Sequence, residues 1–133
     1  MPSEEIDRAL ALAKEYRTRA YAPYSGFTVG TALLAESGEV FGGANVENAS
    51  YGLTICAERS AVVSAVAAGH RNFRAIAIAG PDSTTTAPCG ACRQFLNEFN
   101  PELVVVYTTP DGVEETTLDK LLPNAFGPKN LSR

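Results

Sequence analysis

Apolar residues along the chain recur with two different periods, and these periods predict where helices and strands form. From Ser3 to about Tyr21 they follow the helical spacing, and Pro23 then stops the helix. Ser3 is a suitable N-cap because two glutamates follow it in the first turn. The small and apolar face of this predicted helix consists of Ile6, Leu10, Ala13 and Ala20.

Four shorter apolar runs predict β-strands. Residues 28–35 and 39–46 flank the segment Glu-Ser-Gly, whose glycine can supply the positive φ of a hairpin turn. Two further runs, RAIAIAG at 74–80 and LVVVYTT at 103–109, are almost continuously apolar. This pattern is typical of strands that are buried on both faces of a sheet.

Helical segments separate these strands. Residues 56–70 are rich in alanine, and Gly69 is placed to end a largely buried helix. Residues 89–99 and 116–123 predict two further helices, the second followed by a tail rich in Gly, Pro and Asn. Apolar strands that alternate with helices predict an α/β fold, here a three-layer α/β/α sandwich with a mixed central sheet of about five strands. We expect an antiparallel hairpin at one edge and parallel strands in the remainder.

Length and charge narrow the class of protein. At 133 residues the chain is expected to form a single domain, residues 1–133, with a core that needs no metal or disulfide to fold. A net charge of -4 without a run of lysines and arginines argues against nucleic acid as a partner. The first residues are acidic where a signal peptide is basic, and the longest apolar run is too short for a bilayer. We therefore expect no membrane partner and a cytoplasmic location, where disulfides are uncommon.

The three cysteines of the chain fall in two short motifs, each at a predicted helix start. Cys56 begins Cys-Ala-Glu, whereas Cys89 and Cys92 belong to Pro-Cys-Gly-Ala-Cys. Unpaired N–H groups and the dipole at a helix N-terminus favour the thiolate, which is the form that binds zinc. Two thiols of a CxxC motif reach one ion, and the remaining cysteine completes three ligands, which leaves one position for water as in catalytic zinc sites. Glu58 is close enough to act as general base and acid on that water.

Two arginines lie next to the predicted ligands. Three thiolates outweigh a divalent cation by one unit of charge, which makes the ion a weaker Lewis acid. Arg59 and Arg93 are placed to donate hydrogen bonds to the sulfur atoms and to compensate that charge, as residues around metal ligands do.

Other interpretations of these residues remain open at this point. A CxxC motif is also typical of thiol redox pairs, which would leave Cys56 and Glu58 without a role. A cysteine nucleophile needs a histidine partner, and His70, the one histidine of the chain, lies in a sequence typical of a solvated helix end. In a third interpretation, the cysteines are buried structural residues of the core, and Glu58 and Arg59 form an ion pair on the surface.

The motifs together resemble a known family. Cys-Ala-Glu followed by Pro-Cys-Gly-Ala-Cys-Arg-Gln is similar to the zinc deaminase signature. Three more segments are similar to the small, homotetrameric cytidine deaminases whose zinc ligands are all cysteines. These segments are Ala-Pro-Tyr-Ser-Gly-Phe-Thr-Val-Gly-Thr-Ala at 22–32, Asn-Val-Glu-Asn at 45–48 and Leu-Leu-Pro-Asn-Ala-Phe at 121–126.

The resemblance implies an enzyme of pyrimidine salvage. Its activity is the hydrolysis of cytidine and 2′-deoxycytidine to uridine and 2′-deoxyuridine with release of ammonia. The resemblance also implies one Zn²⁺ per chain and a proton carrier, Glu58. It further implies a homotetramer in which neighbouring subunits share active sites. The chemistry is reasonable in its own right, because water needs activation at neutral pH and the leaving amine needs a proton.

Asn45 and Glu47 are the first candidates for holding a nucleoside substrate. They lie two residues apart at the end of a predicted strand, so that their side chains share a face and can bind sugar hydroxyls. The resemblance implies that they hold the 3′-hydroxyl. A carboxylate at that place would repel phosphorylated or polymeric substrates, which favours free nucleosides.

Four further residues are assigned to the substrate by the resemblance alone. Phe27 forms part of an aromatic wall for the pyrimidine, and Ala57 offers its backbone to the base. Phe126 stacks on a base bound in a neighbouring subunit, and Tyr51 lies at the same composite site. For each aromatic residue the alternative interpretation is packing in the core.

Two rival functions remain. A deaminase for another cytosine nucleoside, such as a blasticidin-type antibiotic, shares the zinc signature but lacks the Asn-x-Glu-Asn and Phe-x-Val-Gly segments found here. A zinc-binding or thiol-redox interaction protein without turnover is the alternative outside the enzymes.

Overall fold

The computed structural model describes residues 3–131; the side chain of Ser3, and with it the predicted capping bond, lies outside the described part. Within this part, helices and strands alternate, and two short 3-10 turns are present at Tyr51–Leu53 and Pro128–Asn130. The helices are α1 Ser3–Arg17, α2 Ala57–Ala67, α3 Gly90–Asn97 and α4 Leu118–Leu121. The strands are β1 Gly30–Ala35, β2 Val40–Ala44, β3 Phe73–Ala79, β4 Val104–Thr109 and β5 Gly112–Thr117.

The strands form one five-stranded mixed sheet in the order β2-β1-β3-β4-β5. Strand β1 is antiparallel to both β2 and β3, β3 is parallel to β4, and β4 is antiparallel to β5. The predicted hairpin at one edge is confirmed, but the expectation of a parallel remainder is wrong except for the β3–β4 pair. The reason is that the connection through α2 carries the chain from β2 across β1, so that β2 and β3 run in the same direction without being neighbours.

Strand β5 is the element that the sequence pattern did not predict. Its first four residues are exposed, and it pairs only with β4 along one edge of the sheet. A solvated edge strand buries little apolar surface, so it has no hydrophobic run to mark it. Two of its residues, Thr116 and Thr117, were predicted as the start of a helix, which begins instead at Leu118. Helix α1 likewise ends at Arg17 rather than near Tyr21.

Helices cover both faces of the sheet, which confirms the predicted three-layer α/β/α architecture. Alternate residues of β1 explain the layers, because Leu33 packs in the core against α2 whereas Ala32 packs in the core against α1. Helices α3 and α4 contribute Leu96 and Leu118 to the α2 side. Burying a leucine such as Leu33, which is completely inaccessible to solvent, stabilises the fold by roughly 1.5–3 kcal/mol.

The topology brings the N-termini of α2 and α3 to the same end of the sheet. Each helix follows a strand, β2 or β3, and these strands run in the same direction on either side of β1. Gly43 on β2 allows α2 to lie very close, because a Cβ at this residue would be 2.5 Å from the carbonyl oxygen of Ala57. Among residues 3–131, no helix combines the length and the apolar character that a membrane crossing requires.

Candidate active site

The three thiols meet where α2 and α3 begin. Cys56 and Cys89 are the N-cap residues of these helices, both with extended backbone conformations, and Cys92 lies in the first turn of α3. All three Sγ atoms lie within 4.8 Å of one another, and those of Cys56 and Cys89 are 3.9 Å apart. Two sulfurs that are each about 2.3 Å from a tetrahedral zinc ion lie about 3.8 Å apart. The observed spacing therefore fits one zinc ion.

The environment of the thiols favours a metal over the other interpretations. All three cysteines are free, and their exposure increases from the buried Cys92 through Cys56 to the exposed Cys89, so that one side of the cluster faces solvent. Within residues 3–131, this is the one group of three or more Cys, His, Asp or Glu side chains able to surround an ion. His70 instead contacts Glu39 and the ring of Phe41 on the β1–β2 hairpin side.

Glu58 provides a carboxyl group next to the thiols. It lies in the first turn of α2, and only 6% of its surface is exposed. Burial raises the pKa of Glu58 from its ordinary 4.5 to about 7, with the nearby charge of Cys56 acting in the same direction. A carboxyl group with a pKa near neutrality can both accept and return a proton at physiological pH.

The two arginines play different parts. Arg59 donates from Nη2 to the Sγ of Cys56 at 3.4 Å, and its buried Nε has no hydrogen-bond partner among the described residues. Arg93 donates from Nε to the carbonyl of Pro88 at 2.7 Å and from Nη1 to that of Leu121 at 3.0 Å. These two bonds of Arg93 are made to backbone oxygens rather than to sulfur, one immediately before the CxxC motif and the other in α4.

The interaction between the thiols of Cys56 and Cys92 shifts their pKa values in opposite directions. A hydrogen bond from the Cys92 thiol, together with the Arg59 guanidinium, lowers the pKa of Cys56 to about 5. The thiol that donates this bond, Cys92, has its pKa raised by the same interaction and by burial. Of these two thiols in the metal-free protein, Cys56 is therefore the one that ionises at neutral pH.

A cavity of about 180 Å³ opens beside the thiols. Cys56, Cys89 and Glu58 form one part of its wall, and the sequence-predicted residues Phe27, Asn45 and Ala57 also line it. An aromatic ring, an amide side chain and the residue Ala57 thus border the same space as the thiols and the carboxyl group. This arrangement suits a small planar molecule with polar edges.

Asn45 and Glu47 hold the chain segment in front of the cavity. Asn45 accepts from the N–H of Val29 at 2.9 Å and donates to the carbonyl of Phe27 at 2.8 Å. Glu47 accepts from the N–H groups of Tyr24 at 2.9 Å and Ser25 at 3.2 Å, and from the Ser25 hydroxyl. The bond from the Ser25 hydroxyl is the largest cause that lowers the pKa of Glu47; desolvation opposes it, and the two backbone bonds lower the pKa further.

The remaining substrate candidates lie outside this first cavity. Glu47 and Tyr51 line an adjoining, more open cavity of about 430 Å³, and Thr54 lines both. Phe126 lines neither of these two cavities, and its side chain is largely exposed. Its carbonyl accepts from Gln94 at 2.8 Å and from Asn97 at 3.3 Å, so that α3 holds the segment that presents the ring.

Comparison with known proteins decides the family. The family model described as "Cytidine and deoxycytidylate deaminase zinc-binding region" matches residues 3–108 of the chain, a stretch that includes all three cysteines and Glu58. The chain belongs to this deaminase family. The predicted family is thereby confirmed, and so is zinc as the cofactor that the three thiols are arranged to bind.

Similar proteins cover nearly the whole chain. A cytidine deaminase of Sporosarcina psychrophila is 46% identical over 130 residues, which is 96% of either chain. A cytidine deaminase of Mycobacterium tuberculosis is 39% identical over 134 residues, spanning 100% of this chain and 98% of its own. The crystal structure of a cytidine deaminase from Burkholderia pseudomallei superimposes with a TM-score of 0.86 at 52% identity, covering 90% of this chain and 98% of that one.

The deaminase cavity also contains residues that the sequence analysis missed. Val29, Thr54, Thr86 and Ala87 complete its wall. Three of them stand two or three residues before a thiol ligand, and this proximity to the motifs was the available signal. Val29 has no thiol ligand beside it; its available signal was the Phe-x-Val-Gly segment, and in the fold its N–H donates to Asn45.

Proposed function

We propose that the protein deaminates cytidine and 2′-deoxycytidine hydrolytically, within the cytoplasm and as part of pyrimidine salvage, through one domain formed by residues 1–133. The supporting observation is the convergence of three thiols, mutually within 4.8 Å, with a buried carboxyl group on one cavity. The relatives that cover the chain, including those of S. psychrophila and M. tuberculosis, are cytidine deaminases.

The proton chemistry follows from Glu58. Zinc held by Cys56, Cys89 and Cys92 supplies Lewis acidity and lowers the pKa of a water molecule. The carboxylate of Glu58 accepts a proton from the water that attacks C4 of the base. It delivers this proton to N3, then accepts the second proton from the new hydroxyl group on C4 and passes it to the departing amine. The bond between C4 and the amine breaks, and cytidine and water become uridine and ammonia. Burial raises the pKa of the Glu58 carboxyl group to about 7 in the metal-free protein, and a pKa in this range suits a group that accepts and returns protons at neutral pH.

Substrate selection follows from the residues in front of the thiols. Phe27 and the backbone of Ala57 contact the base, and Asn45 and Glu47 bind the sugar while bracing the segment that carries Phe27. An amide nitrogen carries two hydrogens, so Asn45 retains one for a sugar hydroxyl after its bond to Phe27. The negative charge of Glu47 disfavours a phosphate on that sugar.

Charge at the thiols is balanced by nearby cations. Arg59 donates to Cys56 and offsets the excess negative charge of three thiolates on a dication. Arg93 acts on the backbone, because its bond to the Pro88 carbonyl anchors the residue immediately before Cys89.

The enzyme assay tests this proposal directly. Purified protein is mixed with cytidine, and the loss of ultraviolet absorbance on conversion to uridine is followed together with the zinc content. We expect turnover and about one zinc per chain. Glu58→Gln should lose about 100- to 10,000-fold in kcat while keeping its zinc, since the amide cannot transfer protons. An active Glu58→Gln variant would remove the assigned proton role, and equal turnover of cytidine monophosphate would contradict the role of Glu47.

The active protein is proposed to be a homotetramer with shared sites. Several large apolar and aromatic side chains are exposed, and subunit contacts are one place where such side chains are buried. Tyr51, Leu53 and Phe126 are 75%, 66% and 59% exposed. Tyr51 and Phe126 would then complete the cavity of a neighbouring subunit.

Subunit mixing tests the shared site. Phe126→Ala should lower activity because the neighbour's base loses a stacking partner. Glu58→Gln should be inactive because each site then lacks the proton carrier of its own chain, although the Phe126 from the neighbouring chain is intact. Unfolding and refolding the two variants together should recover activity, because mixed assemblies contain sites with an intact Glu58 and an intact Phe126. Full activity of Phe126→Ala alone, or no recovery on mixing, would contradict the sharing of sites, and gel filtration reports the size of the assembly.

A further inference from the structure

A buried hydroxyl group in the sheet contacts the helix turn that carries Cys56 and Glu58. Thr31 lies on β1, is completely inaccessible to solvent, and places its Oγ1 2.9 Å from the carbonyl oxygen of Ala57. That carbonyl belongs to the peptide group joining Ala57 to Glu58. The hydroxyl therefore holds the backbone between a thiol ligand and the proton carrier.

The hydroxyl has one good acceptor. Its single hydrogen can be donated once, and the carbonyl of Gly43 is 3.5 Å away, which is too long for a strong bond. The carbonyl of Ala57 is also the acceptor for the N–H group four residues later in α2. The bond from Thr31 is thus additional to the helix pattern, and it connects α2 to the sheet.

Two contacts of different kinds define the position of this turn. Thr31 and Gly43 are paired in register on β1 and β2, and both face the start of α2. Close contact with Gly43 limits how near α2 can approach the sheet. The bond from Thr31 fixes the direction of the Ala57 carbonyl group in the first turn of the helix. A valine at residue 31 would fill similar space but could make no such bond.

We infer that Thr31 is a positioning residue, whose hydroxyl holds the first turn of α2 so that Cys56 and Glu58 face the thiols of α3. The inference rests on the proposed deamination for its kinetic consequence, but its effect on metal binding is independent of the substrate. Thr31 itself is not a residue of the cavity wall, and it acts through the backbone of Ala57.

Three substitutions separate the hydroxyl from the methyl group. Thr31→Val keeps the volume and loses the hydroxyl, Thr31→Ser keeps the hydroxyl and loses the methyl, and Thr31→Ala loses both. We expect Val and Ala to weaken zinc affinity and lower kcat by about tenfold, as loss of outer contacts to metal ligands does. Ser should restore both to near the wild-type values, with KM within about twofold throughout. Chelator competition measures zinc affinity, and the cobalt-substituted protein reports ligand geometry through its thiolate charge-transfer bands.

A control removes buried volume on the other face of the sheet. Val106 packs in the core against α1, so Val106→Ala should lower stability in urea without changing zinc affinity or kcat. The inference is overturned if Val behaves like wild type while Ser behaves like Ala, because packing would then be the only role of Thr31. It is also overturned if Val106→Ala weakens zinc binding as much as Thr31→Val. A wild-type protein that binds zinc but leaves cytidine unchanged refutes the proposed function, while weaker zinc binding by Thr31→Val would still support the positioning role.

Discussion

Gly43→Ala tests whether the close contact between β2 and α2 controls the metal site. A Cβ at this residue would lie 2.5 Å from both the carbonyl oxygen of Ala57 and the nitrogen of Ala61, where ordinary contact begins at 3.4 Å. The shortfall is about 0.9 Å, and because both obstructing atoms are backbone, no side chain can turn away to relieve it. Overpacking of this kind costs about 1–3 kcal/mol of unfolding free energy.

The consequence for function depends on which element moves. If α2 is displaced, Cys56 and Glu58 move by up to about 0.9 Å, although zinc ligand distances tolerate only about 0.2 Å. Misplacement by about 1 Å can cost 100-fold in rate. We therefore expect Gly43→Ala to lose both zinc affinity and kcat, measured by chelator competition and by the cytidine assay.

A matched glycine provides the control for this experiment. Gly52 has no heavy atom within 4 Å of an added Cβ, so Gly52→Ala should retain zinc affinity and unfolding free energy. The result that refutes the reasoning is a Gly43→Ala variant with reduced stability but unchanged zinc affinity and kcat. It would show that β2, an edge strand, moves outward and leaves the first turn of α2 in place.

Three further predictions concern titration and metal removal. In the zinc-free protein the pKa of Cys56 is lowered to about 5, so its alkylation by iodoacetamide should stay fast down to about pH 6 and decline below pH 5. Arg59→Ala should slow the alkylation at pH 6, because the variant loses the hydrogen bond to the sulfur. Mass spectrometry of the labelled peptide measures the rate, and a pH dependence typical of an ordinary thiol would refute the prediction. The pKa of Glu47 is lowered in the fold, so its stabilising bonds are present at neutral pH and are lost as the pH falls through this lowered pKa. Glu47→Ala should therefore reduce the difference in unfolding free energy between pH 7 and pH 3. An unchanged difference in the variant would count against this role of Glu47. Zinc present at 100 times its Kd stabilises the folded protein, so its removal should lower the free energy of unfolding by about 2.7 kcal/mol and the Tm by roughly 10 °C. Scanning calorimetry with and without a chelator measures this difference. Two identical Tm values would contradict the prediction.

Residues close together in the chain were predicted well. Cys89 and Cys92 share one helical turn whatever the rest of the fold does, and Cys56 lies two residues from Glu58. Helix starts at both motifs followed from local pattern and are confirmed by the N-cap positions of Cys56 and Cys89. Local spacing therefore determined the cofactor and the class of reaction.

The partners of side chains could not be predicted in the same way. Arg93 was expected to donate to sulfur, but two of its nitrogens donate to the carbonyls of Pro88 and Leu121. Asn45 was predicted from its spacing to bind a sugar, and the bonds that the fold shows for it join Phe27 to Val29. Such bonds depend on which loops lie next to each other, and nothing in the local sequence records that.

The sequence by itself determined the periods of the helices and strands, the set of three thiols and the carboxylate beside them, because each depends on residues within one or two turns of each other. Only the tertiary structure decided that β1 lies between β2 and β3, that β5 completes the sheet, and that Thr31 and Gly43 support the turn between Cys56 and Glu58. The physical reason is that strand order and close backbone contacts arise from packing between segments distant in the chain, where a single missing Cβ or one buried hydroxyl is enough to set the position of a helix.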